Sequence, residues 1–244
     1  VAERLPAKPR QVMMDGENLS PGHYGGTWRM LIHRSKDGKM FSVYGYARLV
    51  TYGENLELVP DILADVTSED ERIYTLKLRQ GHKWSDGHPF TAEDFRYYWE
   101  DVANNEELSP AGPPRTLRVN NELPLVEILD ETTVRYSWSQ PNPTFLPALA
   151  GAAPLFIYRP AHYLKQFHDS YKKKKKKKSA LSSRMMRNWA AEHNSKDNQY
   201  KFDNPELPTL QPWMNTTKPP ATRFVGLRNP YFHRVDPNGL QLPY

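Results

Sequence analysis

The 244-residue chain contains no cysteine. A disulfide framework, a thiolate metal site and a cysteine nucleophile are therefore excluded for this sequence. No run of eighteen apolar residues occurs, so no segment reads as a membrane-spanning helix. A Gly-x-Ser-x-Gly nucleophile elbow and a glycine-rich phosphate loop are both missing. The eight histidines are scattered. His162 and His168 stand six apart, a spacing that does not put two metal ligands on adjacent helical turns. Acid pairs such as Glu93-Asp94 and Asp130-Glu131 are sequence neighbours at a helix start or a turn, so nothing positive points to paired-carboxylate chemistry across a cleft. No catalytic set, metal site or cofactor is expected.

Charge of one sign is also scarce once its source is located. Lysine plus arginine number 33 against 28 acidic residues, a net charge of +5. Seven of those lysines are the consecutive run Lys172 to Lys178, and without them 26 basic side chains face 28 acidic ones. The basic balance belongs to one tract, and the even basic face of a nucleic-acid protein is absent. The tract is low-complexity sequence between two well-patterned helices and reads as a solvated segment. Docking of a polyanion or an anionic membrane surface through it is the competing reading.

What the chain has in quantity is aromatic surface. Fourteen tyrosines and six tryptophans accompany a mean hydropathy of −0.77. Such side chains give flat apolar area with a polar tip, suited to enclosing amphipathic solutes.

Residues 82–102, HKWSDGHPFTAEDFRYYWEDV, are the most informative stretch. A polar turn of Ser85, Asp86 and Gly87 precedes Pro89-Phe90. Thr91 with Asp94 three residues on then reads as a helix N-terminus in capping-box style. Phe95, Tyr98, Trp99 and Val102 recur at helical spacing and predict one apolar face of a helix over 91–104. The literal string resembles the signature region of the family 5 solute-binding proteins, the oligopeptide- and dipeptide-binding receptors of ABC importers. Further matches follow in family order: 56–63 (LELVPDIL), 74–79 (YTLKLR), 128–136 (ILDETTVRY), 140–146 (QPNPTFL) and 228–232 (RNPYF).

The resemblance implies an α/β fold of the periplasmic binding protein type, type II of the large two-lobe class. This chain would be the amino-terminal lobe, carrying a small inserted antiparallel α+β subdomain. The expected organisation is an extended arm over 1–25, the first part of lobe I over 26–60, the inserted subdomain over 61–147 and a return to lobe I over 148–244, ending before the second lobe. A short apolar run at 27–32 predicts the first strand, 105–121 a surface excursion, 205–220 a proline-rich connector, and 224–228 a strand returning to the main sheet of the lobe. The start, VAERLP, is expected to be a mature end left by signal-peptide removal, and the location periplasmic.

The function implied is capture of a peptide-like or other small solute and its delivery to an ABC permease by a monomeric protein, with no nucleic acid involved. A peptide would run extended between the lobes, hydrogen-bonded to strand-like segments. The ligand contacts nominated from this half are His33 and Arg34 past the first strand, the turn of Tyr44, Gly45 and Tyr46, the approach formed by Phe156 and Tyr158, and Trp213. Core packing competes with ligand contact at each. The family's usual hinge step before its R-N-P segment is missing, and residues 188–212 are long and polar. Both features leave oligosaccharides, opines or glycosides open as solutes. A hydrolytic enzyme on a similar scaffold and a polyanion-binding protein using Lys172 to Lys178 are the alternatives from other classes.

Overall fold

The computed structural model of the chain describes residues 4–12, 20, 22–172 and 182–244. Strand β1 (Arg10–Gln11) is followed by the short helix α1 (Met40–Gly45) and by β2 (Val50–Tyr52) and β3 (Leu58–Pro60). β2 and β3 pair antiparallel, with Val50 opposite Pro60. Next come β4 (Leu63–Glu69) and β5 (Ile73–Leu78), then β6 (Leu125–Asp130) and β7 (Thr133–Ser137). These four make an antiparallel sheet in the order β4-β5-β7-β6.

The period-two alternation of strands selects one face of that sheet for the core. Tyr74, Leu76 and Leu78 of β5 are buried while Lys77 is exposed, and Val134 and Tyr136 of β7 are buried opposite them. The register sets Tyr74 against Tyr136 and Leu76 against Val134. Helix α2 (Ala92–Arg96) packs beside β6 and β7, with Phe95 fully enclosed.

The helix start follows the sequence. Asp94 reaches back to accept the Thr91 amide at 3.0 Å. Beyond Arg96 the expected α-helix widens, and residues Tyr97–Ala103 form a π-helical continuation. Its i→i+5 hydrogen bonds bring positions five apart onto one side. Tyr97 with Val102 and Tyr98 with Ala103 are accordingly buried, whereas Trp99 is only half-buried. The core face therefore includes Tyr97, which a 3.6-residue period leaves out.

Helices α3 (Phe145–Ala150) and α4 (Ala161–Leu164) follow, and then α5 (Ser182–Lys196), which brings Trp189 and His193 against Tyr97 and His168. The Tyr97 hydroxyl and His193 Nε2 are 2.8 Å apart. β8 (Trp213–Asn215) pairs antiparallel with β9 (Gly226–Arg228), and β10 (Arg234–Val235) pairs parallel with β1.

Three expectations need correction. Residues 27–32 form no strand and join no ladder among the described residues; Trp28 is 55% and Leu31 103% exposed. The stretch over 205–220 is more than a connector, since it supplies β8. The strand expected over 224–228 is present as β9, and among the described residues it pairs with β8 alone. The 105–121 excursion is anchored, with Leu108 and Leu117 buried and the Leu117 carbonyl accepting from Trp138 Nε1 at 2.9 Å.

Candidate functional site

Two segments far apart in sequence build an exposed aromatic surface. Gln211 caps Ala47 on both sides, its Nε2 donating to the Ala47 carbonyl at 3.0 Å and its Oε1 accepting the Ala47 amide at 3.4 Å. Gly45 allows the approach: a Cβ there would meet Pro212 at 2.9 Å. The fully buried Arg48 pins the same segment to the end of α3, donating to the carbonyls of Gly151 and Ala152 at 2.9 Å each and of Ser42 at 3.0 Å. α1 and β8 are thus held together from behind.

On the open side three rings gather. Tyr44, 59% exposed, meets Trp28 edge-on with ring centroids 6.2 Å apart, and Trp28 lies 6.5 Å from Trp213. Leu227 of β9 is also exposed, but it pairs with Met214, one register from Trp213, and so faces the other side of the ribbon. Two exposed rings backed by a half-buried third form apolar surface for a flat or amphipathic partner. His33 and Arg34 lie exposed in the segment after Trp28; Arg34 Nε stands 3.6 Å from Asp37 Oδ1.

The nominated residues divide between this surface and the interior. Tyr44 and half-buried Trp213 meet Trp28, His33 and Arg34 are exposed in the segment after it, and Gly45 is the close-packing position against Pro212. Tyr46 sits in left-handed backbone (φ 42°), its hydroxyl donates to the Ala150 carbonyl at 2.9 Å, and its own carbonyl accepts from Arg234 at 2.6 Å. Tyr158 is 2% exposed, packed among Trp84, Phe90 and Phe95, and burial pushes its hydroxyl well above the ordinary tyrosine range. It is a core residue in this structure. Phe156 is half-buried and meets Tyr158 edge-on.

Sequence reasoning did not single out Trp28, because the apolar run that holds it reads as a strand. It also missed a cavity of about 160 Å³ whose polar lining includes Asp86, Asn198, Asn204, Glu206, Thr209 and Asn215. The available signal was the length and polarity of residues 188–212.

The electrostatic centre of the structure lies behind this surface. Asp61, fully buried, accepts from His233 Nε2 at 2.7 Å, from Arg234 at 2.9 and 2.6 Å, and from the Arg48 amide at 2.9 Å, with Arg10 at 3.1 Å. Burial opposes its ionisation, yet Arg234 and His233 hold the carboxyl well below the usual carboxylate range. Each of these partners also serves to fix the fold, so the set is a structural joint. Of the lysine run only Lys172 lies within the described residues, where it pairs with Glu192 at 3.5 Å. Polyanion docking through the other lysines falls outside the described residues.

Comparison with known proteins adds the following. Residues 57–242 match the family model for bacterial extracellular solute-binding proteins, family 5. The periplasmic alpha-galactoside-binding protein of Rhizobium meliloti is 28% identical over all of this chain and 35% of its own length. The periplasmic murein peptide-binding protein of Escherichia coli is 32% identical over 43% of this chain and 22% of its own. Among solved structures, an oligopeptide-binding protein is 34% identical with a TM-score of 0.80, covering 100% of this chain and 37% of that one. A periplasmic binding protein of Agrobacterium fabrum, solved with stachyose, is 24% identical with a TM-score of 0.63, covering 99% of this chain and 36% of that one, a likeness of fold. The chain thus spans about a third of the length of the relatives it matches end to end.

Proposed function

The chain belongs to the bacterial extracellular solute-binding proteins of family 5, and we propose that it is part of a periplasmic receptor that captures a small solute and hands it to the permease of an ABC importer. Its fold is that of part of a type II periplasmic binding protein. The observation that carries the functional reading is the aromatic cluster of exposed Trp28 and Tyr44 with half-buried Trp213, in which the segments carrying Tyr44 and Trp213 are joined through Gln211 and Ala47. Apolar rings presented to water are costly unless a partner covers them, and a solute enclosed between two lobes is such a partner. Capture would proceed by hinge closure and without covalent chemistry. Within this reading, residues 61–147 act as an inserted subdomain that supports the first lobe, and His33 and Arg34 flank the platform as polar contacts.

Two solute classes fit the platform. An extended peptide would lay alternate side chains across the rings, while a pyranose would stack its C–H face on one of them. Relatives of both kinds, one named for peptides and one for alpha-galactosides, support keeping both. Calorimetric titration of the full-length protein with an α-galactoside oligosaccharide and with a mixed oligopeptide pool tests the reading. Saturable binding of one class and not the other assigns the solute. Turnover of either solute by the protein would replace the receptor reading with an enzymatic one.

A further inference from the structure

The signature turn and helix α4 meet in a group of side chains that solute capture leaves unused. Asp86 Oδ2 lies 2.7 Å from His162 Nε2 and 3.5 Å from His88 Nδ1. The two imidazoles stack face to face, centroids 4.1 Å apart and planes 9° from parallel. One ligand atom from each of the three residues lies within 4.8 Å of the other two. Metal–ligand bonds of about 2.0–2.1 Å in a tetrahedral zinc site set the ligand atoms roughly 3.3 Å apart. The two spacings to Asp86 bracket that value; an imidazole coordinates in its ring plane, so His88, whose side chain is 59% exposed, has to turn out of the stack to aim its nitrogen at the same ion.

The scaffold under the group is fixed. The Asp86 Oδ1 atom is already taken by the His88 amide at 3.1 Å, which leaves Oδ2 turned to both rings. Gly87, with φ at +91°, makes the tight turn between them. Ser85 docks the turn on Thr209 through two hydrogen bonds of 3.0 and 3.1 Å. On the other side, Ala161 donates its amide to Asp94 at 3.0 Å and so holds the start of α4 that carries His162. Burial opposes ionisation of Asp86, but hydrogen bonds from His162 and the His88 amide hold its carboxyl below the ordinary range.

We propose that Asp86, His88 and His162 form a binding site for a divalent transition-metal ion of the zinc class. Two imidazoles are borderline donors that, joined by one carboxylate, suit zinc, nickel or copper, and they disfavour calcium or magnesium, which take oxygen ligands throughout. The ion displaces the proton that bridges His162 and Asp86 and leaves one coordination position for water. It cross-links the signature turn to α4 across 76 residues of sequence.

The test uses the full-length protein, stripped of metal with a chelator and titrated with zinc chloride by calorimetry. His88→Ala and His162→Gln are titrated alongside, with solute binding as the control for folding. His88 is exposed, so its loss leaves the core intact, and glutamine at 162 keeps a hydrogen bond to Asp86. The expected result is a one-to-one event with a Kd below about 100 μM, weakened at least tenfold in both variants while solute affinity is unchanged. Zinc should also raise the melting temperature of the parent protein and not of the variants. Absence of a one-to-one event, or a zinc affinity within tenfold of the parent in either variant, overturns the proposal.

Discussion

Asp61 and Arg234, 173 positions apart in the chain, are joined by two hydrogen bonds of 2.9 and 2.6 Å in which the carboxylate has no exposed surface. Arg10 and His233 share that carboxylate, so the β1 arm, the entry to the four-stranded sheet and the β10 segment are tied at one point. Asp61→Asn leaves the largely buried guanidiniums of Arg10 and Arg234 without their counter-charge. The expected cost is about 3–5 kcal/mol of unfolding free energy, read by urea denaturation. A loss within the scatter of surface substitutions would show that the joint is incidental.

Buried histidines set the pH dependence. Burial holds His82, His193 and His233 below the ordinary imidazole value, His193 at about 4. A histidine depressed in the folded state binds its proton more readily when unfolded, so its stabilising contribution is complete above about pH 6.5 and is lost as pH falls toward the folded value. For His193 the shift amounts to roughly 3 kcal/mol. Asp94, pushed up by burial to about 6, acts in the opposite direction over the same window. With three histidines against one carboxyl, stability should fall between pH 7 and 4.5. The difference should shrink by about 2 kcal/mol or more in His193→Phe, measured by urea unfolding at both pH values.

Asp94 stabilises by accepting hydrogen bonds despite that cost. It takes the Trp84 indole N–H, the Thr91 amide and the Ala161 amide, each at 3.0 Å. Asp94→Ala strands three N–H groups in the interior and is expected to destabilise by roughly 3 kcal/mol. Thermal unfolding of the variant checks this, and an unchanged midpoint would mean that the three donors find other acceptors.

The aromatic platform should matter for binding and little for folding. Trp28→Ala and Tyr44→Ala each remove an exposed ring, with an expected loss of about 1–2 kcal/mol in solute binding, or 5- to 30-fold in affinity. Unfolding midpoints should move by less than about 0.5 kcal/mol equivalent. Calorimetric titration with the identified solute reads the first effect and urea denaturation the second.

Features written in short stretches of sequence were legible, and features made by long-range closure were not. The Thr91 and Asp94 cap depends on neighbours a few positions away, and the strand matched over 74–79 is a literal string; the structure has both. The widening after Arg96 escaped notice because a buried Tyr97 follows a five-residue period that a 3.6-residue reading overlooks. Trp28 was not singled out because its apolar run reads as a strand, while strand formation depends on a partner that no local pattern reveals. Tyr44 and Trp213 were singled out separately. Their placement on one face rests on Gln211 meeting Ala47 across 164 positions. The meeting of His88 with His162 is equally invisible to local spacing, since a turn and a helix far apart in sequence supply the two rings.

Mass spectrometry of the full-length protein as purified, native and then denatured, tests the receptor account most directly. The expected result is a native mass that exceeds the polypeptide mass by one small solute, with that solute, a peptide or an oligosaccharide, released on denaturation. A native mass equal to the bare polypeptide, with no shift after incubation with oligopeptides or α-galactosides, would contradict the account.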